Sequence, residues 1–341
     1  MKSKKQIAVL RIMVAAVLSA LFMQGCTKED NTNCGIAVSF KYDKNVDGVN
    51  KFGSTVSRID LYIFDASGKY LGTESVQANQ LPENELYFPT DYVMRLLYIQ
   101  PGIYTLVAWC NRGNVLSNST LSRDAASDFS TSTLSLNVEG GISPRTENMT
   151  LFHGAVQQLV VEGGVQGTKN VLIDLTKFTN HIEVSQIGLP VGDAPVDNLP
   201  FKCYITSKNG SYNFDGTYAD DKVVTYNPYP VSVEGFGSTI VSNFTILREL
   251  NEINGVKNPT ESHLIVSLNP ETDDPDDILV DESLVDILTK AAGTPRNPKN
   301  TGNLDIDDEF KIEIEFKYTG TDVTVFINDW EYSTKPIPPL K

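Results

Sequence analysis

The chain has 341 residues and a formal net charge of −15, from 43 acidic against 28 basic side chains. A surface this acidic repels phosphate backbones and anionic head groups, which argues against nucleic-acid partners and polybasic membrane attachment. At this length two ordinary domains can each bury a core of their own.

The first predicted element is a leader. Lys2, Lys4, Lys5 and Arg11 form a basic segment with no acid, residues 12–23 are almost wholly apolar, and the run stops at Gln24, Gly25 and Cys26. So short a run spans ~30 Å of hydrocarbon poorly as a helix, and its layout over residues 1–25 is that of a secretory signal peptide. The small residue directly before a cysteine resembles the lipobox of bacterial lipoproteins, with Met23 in place of the usual leucine and Gln24 as a departure. That resemblance implies that Cys26 opens the mature chain and carries a diacylglycerol thioether, with a further acyl group on its amine. Each buried methylene contributes about 0.8 kcal/mol, so two or three acyl chains hold where one is marginal. Thr27, Lys28, Glu29 and Asp30 are similar to the surface-export signal of Bacteroidota lipoproteins, and residues 26–33 read as a linker behind the lipid.

From Ile36 onward period-two alternation dominates. Ile36, Val38, Phe40 and Tyr42 share one strand face, and Ile59, Leu61 and Ile63 share the next. Further strands are predicted over 104–109, 134–138, 156–161, 171–175, 182–187, 201–206 and 240–247. The clearest hairpin is the last. Phe310, Ile312, Ile314, Phe316 and Tyr318 alternate with Lys311, Glu313, Glu315 and Lys317; a loop through Gly320 leads to Val323, Val325 and Ile327. One face buried and one wet is the pattern of antiparallel sheets, and short strands parted by Gly, Asn, Asp and Pro turns predict β-sandwiches. One helix is predicted where Leu284, Ile287, Leu288 and Ala291 recur at helical spacing, with Asp281 or Ser283 to cap it and Gly293 and Pro295 to end it. Glycines at 163, 164 and 167 sit between two apolar strands and place a domain boundary there: an N-terminal sandwich over 34–165, and a C-terminal sandwich with its tail over 166–341.

Motifs for chemistry are sparse. Asp43, Asn45 and Asp47, followed by Gly48, match the opening of a calcium-binding loop. The twelfth position is Ser54 rather than glutamate and no helix flanks it, so a polar inter-strand turn is the better reading. The aspartates at 273, 274, 276 and 277 read as a solvated acidic loop. His153, His181 and His263 are isolated, which leaves metal ligation and histidine-based catalysis unsupported; no phosphate-binding loop or nucleophile elbow occurs, and no cofactor is implied. Cys34, Cys110 and Cys203 form no C-x-x-C pair. A disulfide, with Cys34 and Cys110 as the favoured pair, and buried free thiols are both open. Trp109 and Trp330 end strands and are expected to close a core rather than to stack on sugars. Arg112 and Arg145 lie in predicted loops, where an arginine-specific protease could cut.

Several stretches together resemble the fimbrillin-associated anchor family of Bacteroidota, of the FimB type. They are Cys34 leading into Phe40-Lys41-Tyr42-Asp43, the run VSRIDLYIFD at 56–65, PGIYTLVAW at 101–109, Leu151-Phe152-His153-Gly154, and VTVFINDW at 323–330. The resemblance implies an all-β chain of two transthyretin-like β-sandwich domains in tandem, a lipidated Cys26 and a place at the base of a fimbria. It further implies an outer-membrane protein without catalytic activity that tethers a fimbrial shaft subunit and limits shaft length. Assembly in the family proceeds by strand exchange, in which main-chain hydrogen bonds to a sheet edge carry affinity. A lipidated N-terminus cannot surrender its strand, so the C-terminal residues Tyr332, Ser333, Thr334, Lys335, Pro336 and Ile337 are the expected strand-exchange segment. Pro336 and Pro338 remove donors on one side only, which leaves one edge able to pair; a loose proline-rich end is the plainer alternative. A fimbrial tip adhesin or a glycan-binding surface lipoprotein is the competing function.

Overall fold

In a computed structural model, the structure describes residues 35–82, 85–97, 99–113, 116–118, 128–147, 149–162, 168–189, 201–219, 222–234, 239–253, 255–268, 277–319 and 322–336. Cys26, Cys34, Ile337, the glycines at 163, 164 and 167, and the acidic residues 273, 274 and 276 lie outside them.

The strands of the first half are β1 (Gly35–Lys41), β2 (Arg58–Asp65), β3 (Tyr70–Gln77), β4 (Val93–Leu97), β5 (Gly102–Cys110), β6 (Leu116–Asn118), β7 (Thr133–Leu136), β8 (Phe152–Val161), β9 (Thr168–Asp174) and β10 (Thr176–Lys177). A one-turn helix α1 (Phe52–Thr55) follows β1. The second half holds β11 (Thr179–Ile187), β12 (Phe201–Ser207), β13 (Ser211–Asn213), β14 (Val224–Tyr226), β15 (Val231–Glu234), β16 (Thr239–Leu247), β17 (Glu252–Ile253), β18 (Val256–Lys257), β19 (His263–Leu268), β20 (Ile278–Ser283), α2 (Leu284–Ala291), β21 (Glu309–Thr319), β22 (Asp322–Ile327) and β23 (Trp330–Pro336). The chain is all-β, with two sandwiches in tandem and the expected helix in the second.

In the first sandwich a sheet ordered β4-β1-β9 faces one ordered β10-β8-β5-β2-β3. In the second, β15-β16-β11-β21-β22-β23 faces β14-β12-β19-β20. The predicted hairpin is β21–β22, in register from Ile314 opposite Ile327 to Thr319 opposite Asp322. The Ser283 hydroxyl caps α2 by accepting from the Asp286 N–H at 3.3 Å, and Gly293 follows at φ +70°, a left-handed conformation that glycine adopts without strain.

The expected boundary at 165/166 is corrected. Residues 168–174 form β9, which pairs in parallel with β1 along its whole length, from Gly35 opposite Thr168 to Lys41 opposite Asp174. Without β9 the strand β1 would keep a row of unpaired donors and acceptors, so the glycines precede a strand of the same sandwich. We place the passage between sandwiches at Leu175–Phe178, because Leu175 is buried in the first core and Phe178 in the second.

The sandwiches also interlock. Ile59, Leu61 and Ile63 of β2 face the first core, while Tyr62 and Phe64 on the opposite face join the second. Covering that second face is a small sheet ordered β13-β7-β6, two of whose strands come from the first half and one from the second. Beyond it, the Ser143 N–H donates to the Thr225 carbonyl at 2.9 Å and the Thr225 N–H to the Gly141 carbonyl at 2.8 Å. A buried aromatic cluster fills the seam. Trp109 lies 5.4 Å from Phe178, 6.3 Å from Phe214 and 4.5 Å from His153, ring centre to ring centre.

Strand directions assign the ends. At the pole remote from the seam β1 begins, with Gly35 between Leu97 and Thr168; it runs toward the seam, where the Tyr42 hydroxyl reaches Asp308 at 3.4 Å. From the seam β11 and β21 run outward in parallel, β22 returns, and β23 runs outward again to bring Pro336 opposite Asp322. The N-terminal entry and the C-terminal strand therefore end at opposite poles.

Candidate functional site

The expected exchange segment is already a strand. Residues 332–336 belong to β23, the outermost strand of the six-stranded sheet, paired antiparallel with β22 on one edge. Thr324 and Thr334 face each other with hydroxyls 3.0 Å apart. A register shift opposite Val325/Phe326 leaves Tyr332 as the extra residue, and a bulge of this kind re-aims a side chain. Here it sends the Tyr332 hydroxyl across to β20, where it donates to the Asp281 carbonyl at 2.9 Å and accepts from the Asp281 N–H at 3.3 Å. One phenol thus fastens the edge strand of one sheet to the edge strand of the other. The outer edge of β23 has no neighbour in the sheet order among the described residues, so its main-chain groups form a template of the kind that accepts a further strand. Trp330, at the start of this strand, is 38% exposed and closes no core, whereas Trp109 is fully buried as expected.

Residues 43–47, the weak calcium candidate, form a polar turn. Asn45 is buried; its side-chain amide donates to the Tyr42 and Val49 carbonyls at 3.3 and 2.9 Å, and its oxygen accepts from the Asp47 N–H at 3.1 Å. Asp43 pairs with Lys41 at 2.5 Å, and Asp47 with both Lys51 at 2.5 Å and Lys299 at 3.0 Å. Lysine ammonium groups neutralise both aspartates, and the asparagine oxygen is spent on the turn. Among the described residues no three His, Cys, Asp or Glu gather as metal ligands.

A Cys34–Cys110 disulfide and buried free thiols were both open, and Cys34 lies outside the described residues. Cys110 carries a free thiol in the first core and Cys203 one in the second. Burial pushes both thiols up, well away from the reactive thiolate.

The histidines are structural. His153 shares its ring nitrogen Nε2 with the Phe214 carbonyl at 2.9 Å and packs between Trp109 and Phe178, and burial lowers its pKa to about 4. His181 contacts the Thr245 hydroxyl through Nδ1 at 2.9 Å and is lowered to about 4, again chiefly by burial. His263 pairs with Asp281 at 2.6 Å on the surface.

Between the sandwiches lies a cleft of about 800 Å³. Two ion pairs tie across it. Lys177 meets Asp308 at 2.6 Å, and Lys299 meets Asp47. Deeper in the second core is a network that no sequence motif signalled. The fully buried Glu249 carboxylate accepts from Ser207 at 2.8 Å, from Asn209 at 2.9 Å and from the Thr260 hydroxyl. The Tyr226 hydroxyl donates to the Asn209 oxygen at 2.7 Å, and the Asn180 oxygen accepts from the Glu249 N–H at 2.8 Å. Burial raises this carboxyl to about 7 while the hydroxyl donors oppose it. An Asn-Gly turn at 209–210 and an acid two residues past an apolar strand were its only traces in sequence.

Among the described residues an open sheet edge emerges and no catalytic constellation does, and known proteins share this architecture. The fimbrial anchor protein Mfa2 from Porphyromonas gingivalis superposes with a TM-score of 0.66 at 20% identity, over 87% of this chain and 98% of that one. An adhesin candidate from Bacteroides ovatus gives 0.67 at 17% identity, over 93% and 100%. In sequence, the minor fimbrium anchoring subunit Mfa2 of Porphyromonas gingivalis is 24% identical over 269 residues, 73% of this chain and 75% of that one. The model of the fimbrillin-A associated anchor proteins Mfa1 and Mfa2 matches residues 29–335. The chain therefore belongs to the fimbrillin-A associated anchor protein family, a family of fimbrial surface proteins.

Proposed function

We propose that the protein is the outer-membrane anchor of a fimbrial shaft. Acyl chains on Cys26 hold its N-terminal end in the membrane, and a shaft subunit pairs with the C-terminal edge strand by β-strand complementation. Growth at the base ends there, because the acylated end offers no further strand, and shaft length is limited in consequence. The observation that carries this reading is polarity: the chain enters at one pole and its open edge strand β23 ends at the other. The interlocked seam supports it further, since load applied at one end must pass through a buried aromatic cluster rather than a flexible linker. The tail thus serves as an edge held in place by Tyr332, not as a loose end. No catalytic step forms part of this function.

The test compares fimbriae from cells with the protein, without it, and with residues 331–341 deleted. Shed or over-long filaments are expected without the protein. The deletion is expected to release the shaft while the protein stays on the cell surface. Filaments that remain attached after the deletion would reject β23 as the docking edge, and attached filaments with lost adhesion in the null strain would favour a tip adhesin.

A further inference from the structure

The pole at which β1 begins is unlike the rest of this acidic protein. Leu97, the last residue of β4, stands opposite Gly35 and is 46% exposed. On the other flank Ile103 of β5 stands opposite Val160 of β8, and these are 43% and 49% exposed. Ile99 and Val161 fill the rim between, each half-buried against the first core. Every one of these positions belongs to a strand end or turn at the same pole, because β4 leads into β5 there, β8 leads into β9, and β1 and β9 start there side by side.

Charge is sparse at this place. The sequence from Leu96 to Asn111 contains no charged side chain in a chain of −15. Among the described residues the charges at the pole ends of the strands are Arg95 and Lys169, Asp65 and Lys69 of the β2–β3 turn beside β5, and Glu162 just past β8. A ring of exposed aliphatic residues with little charge marks a surface that something apolar covers. What covers it is indicated by the chain that leads to it. Gly35 lies nine residues after Cys26, and nine residues span at most about 30 Å when fully extended.

We infer that this pole rests in the surface of the bilayer that holds the Cys26 acyl chains, with Leu97, Ile103 and Val160 among the headgroups and upper methylenes. The inference rests on the acylation proposed above. Acyl chains alone would leave the body free to swing on its spacer; a docked pole fixes its axis and points β23 away from the membrane. Val93 and Leu172 are also exposed but stand opposite Ser39, four residues further along β1. That is roughly 13 Å higher on an extended strand, so they stay above the headgroups.

The experiment uses the full-length protein purified with its acyl chains and placed in phosphatidylcholine vesicles, with and without bromine on the lipid tails. A tryptophan is introduced singly as Leu97→Trp, Val160→Trp, Leu172→Trp or Val256→Trp, all at exposed positions, and the emission of the unsubstituted protein is subtracted. Emission from positions 97 and 160 is expected to fall at least two-fold in brominated vesicles. Emission from positions 172 and 256 should stay unchanged. Equal emission at all four positions, with the protein still floating with the vesicles, would overturn the inference and leave acylation standing. Failure to float, with Cys26 unmodified by mass, would remove the acylation and the docking together. If position 160 is shielded only when shaft subunit is added, the pole is a protein contact and the inference is also overturned.

Discussion

A Cβ added at Gly154 would lie 2.6 Å from both the Asp174 carbonyl oxygen and Ile173 Cγ2. The backbone of β8 therefore passes the end of β9 at a distance that only glycine permits. This gives physical content to the run Leu151-Phe152-His153-Gly154: Leu151 and Phe152 enter opposite cores, His153 stacks on Trp109, and Gly154 lets the two sheets close. Gly154→Ala is expected to cost about 1–3 kcal/mol, read as a lower denaturant midpoint at unchanged slope; an unmoved midpoint would show that the sheets part freely. The same scale explains why residues 43–47 mislead. Sequence displays three oxygen-bearing side chains at alternate positions, but not the lysine that arrives at Asp47 from position 299. Millimolar calcium is therefore expected to leave the melting temperature unchanged. Asn45→Ala should lower stability by about 1–3 kcal/mol, because the turn loses the side-chain bonds to the Tyr42 and Val49 carbonyls and from the Asp47 N–H.

Elements were legible where one face meets water. β21, β22 and α2 each bury one side, so their periodicity survives in sequence and their bounds were predicted closely. β2 was legible as a strand but not as a buried one, since Ile59, Leu61 and Ile63 serve one core and Tyr62 and Phe64 another. The pairing of β9 with β1 and of β7 with β13 joins residues far apart in the chain, and local pattern carries no trace of that. The exchange segment was legible as a strand able to pair on one edge; that it already pairs with β22 in its own sheet was not. What fastens β23 is a phenol reaching two backbone groups of β20. Tyr332→Phe keeps the ring and loses both bonds. It is expected to cost roughly 1 kcal/mol and to speed amide exchange in residues 330–336 without affecting β21. Uniform exchange rates in variant and parent would show that sheet pairing alone holds the strand.

At the scale of the whole molecule the buried titratable groups set an acid response. His153 and His181, lowered to about 4 by burial, stay neutral in the fold and take up protons when it opens. Their contribution is fully present above the ordinary histidine value near 6.5 and is lost as pH falls through 4. Glu249 acts in the opposite sense. Raised from 4.5 to about 7, it binds a proton in the fold that the open chain releases, so its contribution is present below 4.5 and is lost as pH rises through 7. Between 4.5 and 6.5 the two histidines therefore work against one carboxyl, and unfolding takes up about one proton from these three groups. On their account the parent protein should lose roughly 1 kcal/mol of stability per unit of acidification in that window. Glu249→Gln keeps an acceptor for Ser207 and Thr260 but removes the opposing titration, so its slope should be about twice as steep, with the larger loss at the acid end. Denaturant midpoints of both proteins at half-unit steps from pH 4.5 to 8 measure this directly. Parallel curves would mean that Glu249 is charged throughout the folded state and that its hydroxyl and amide donors, rather than a proton, neutralise it.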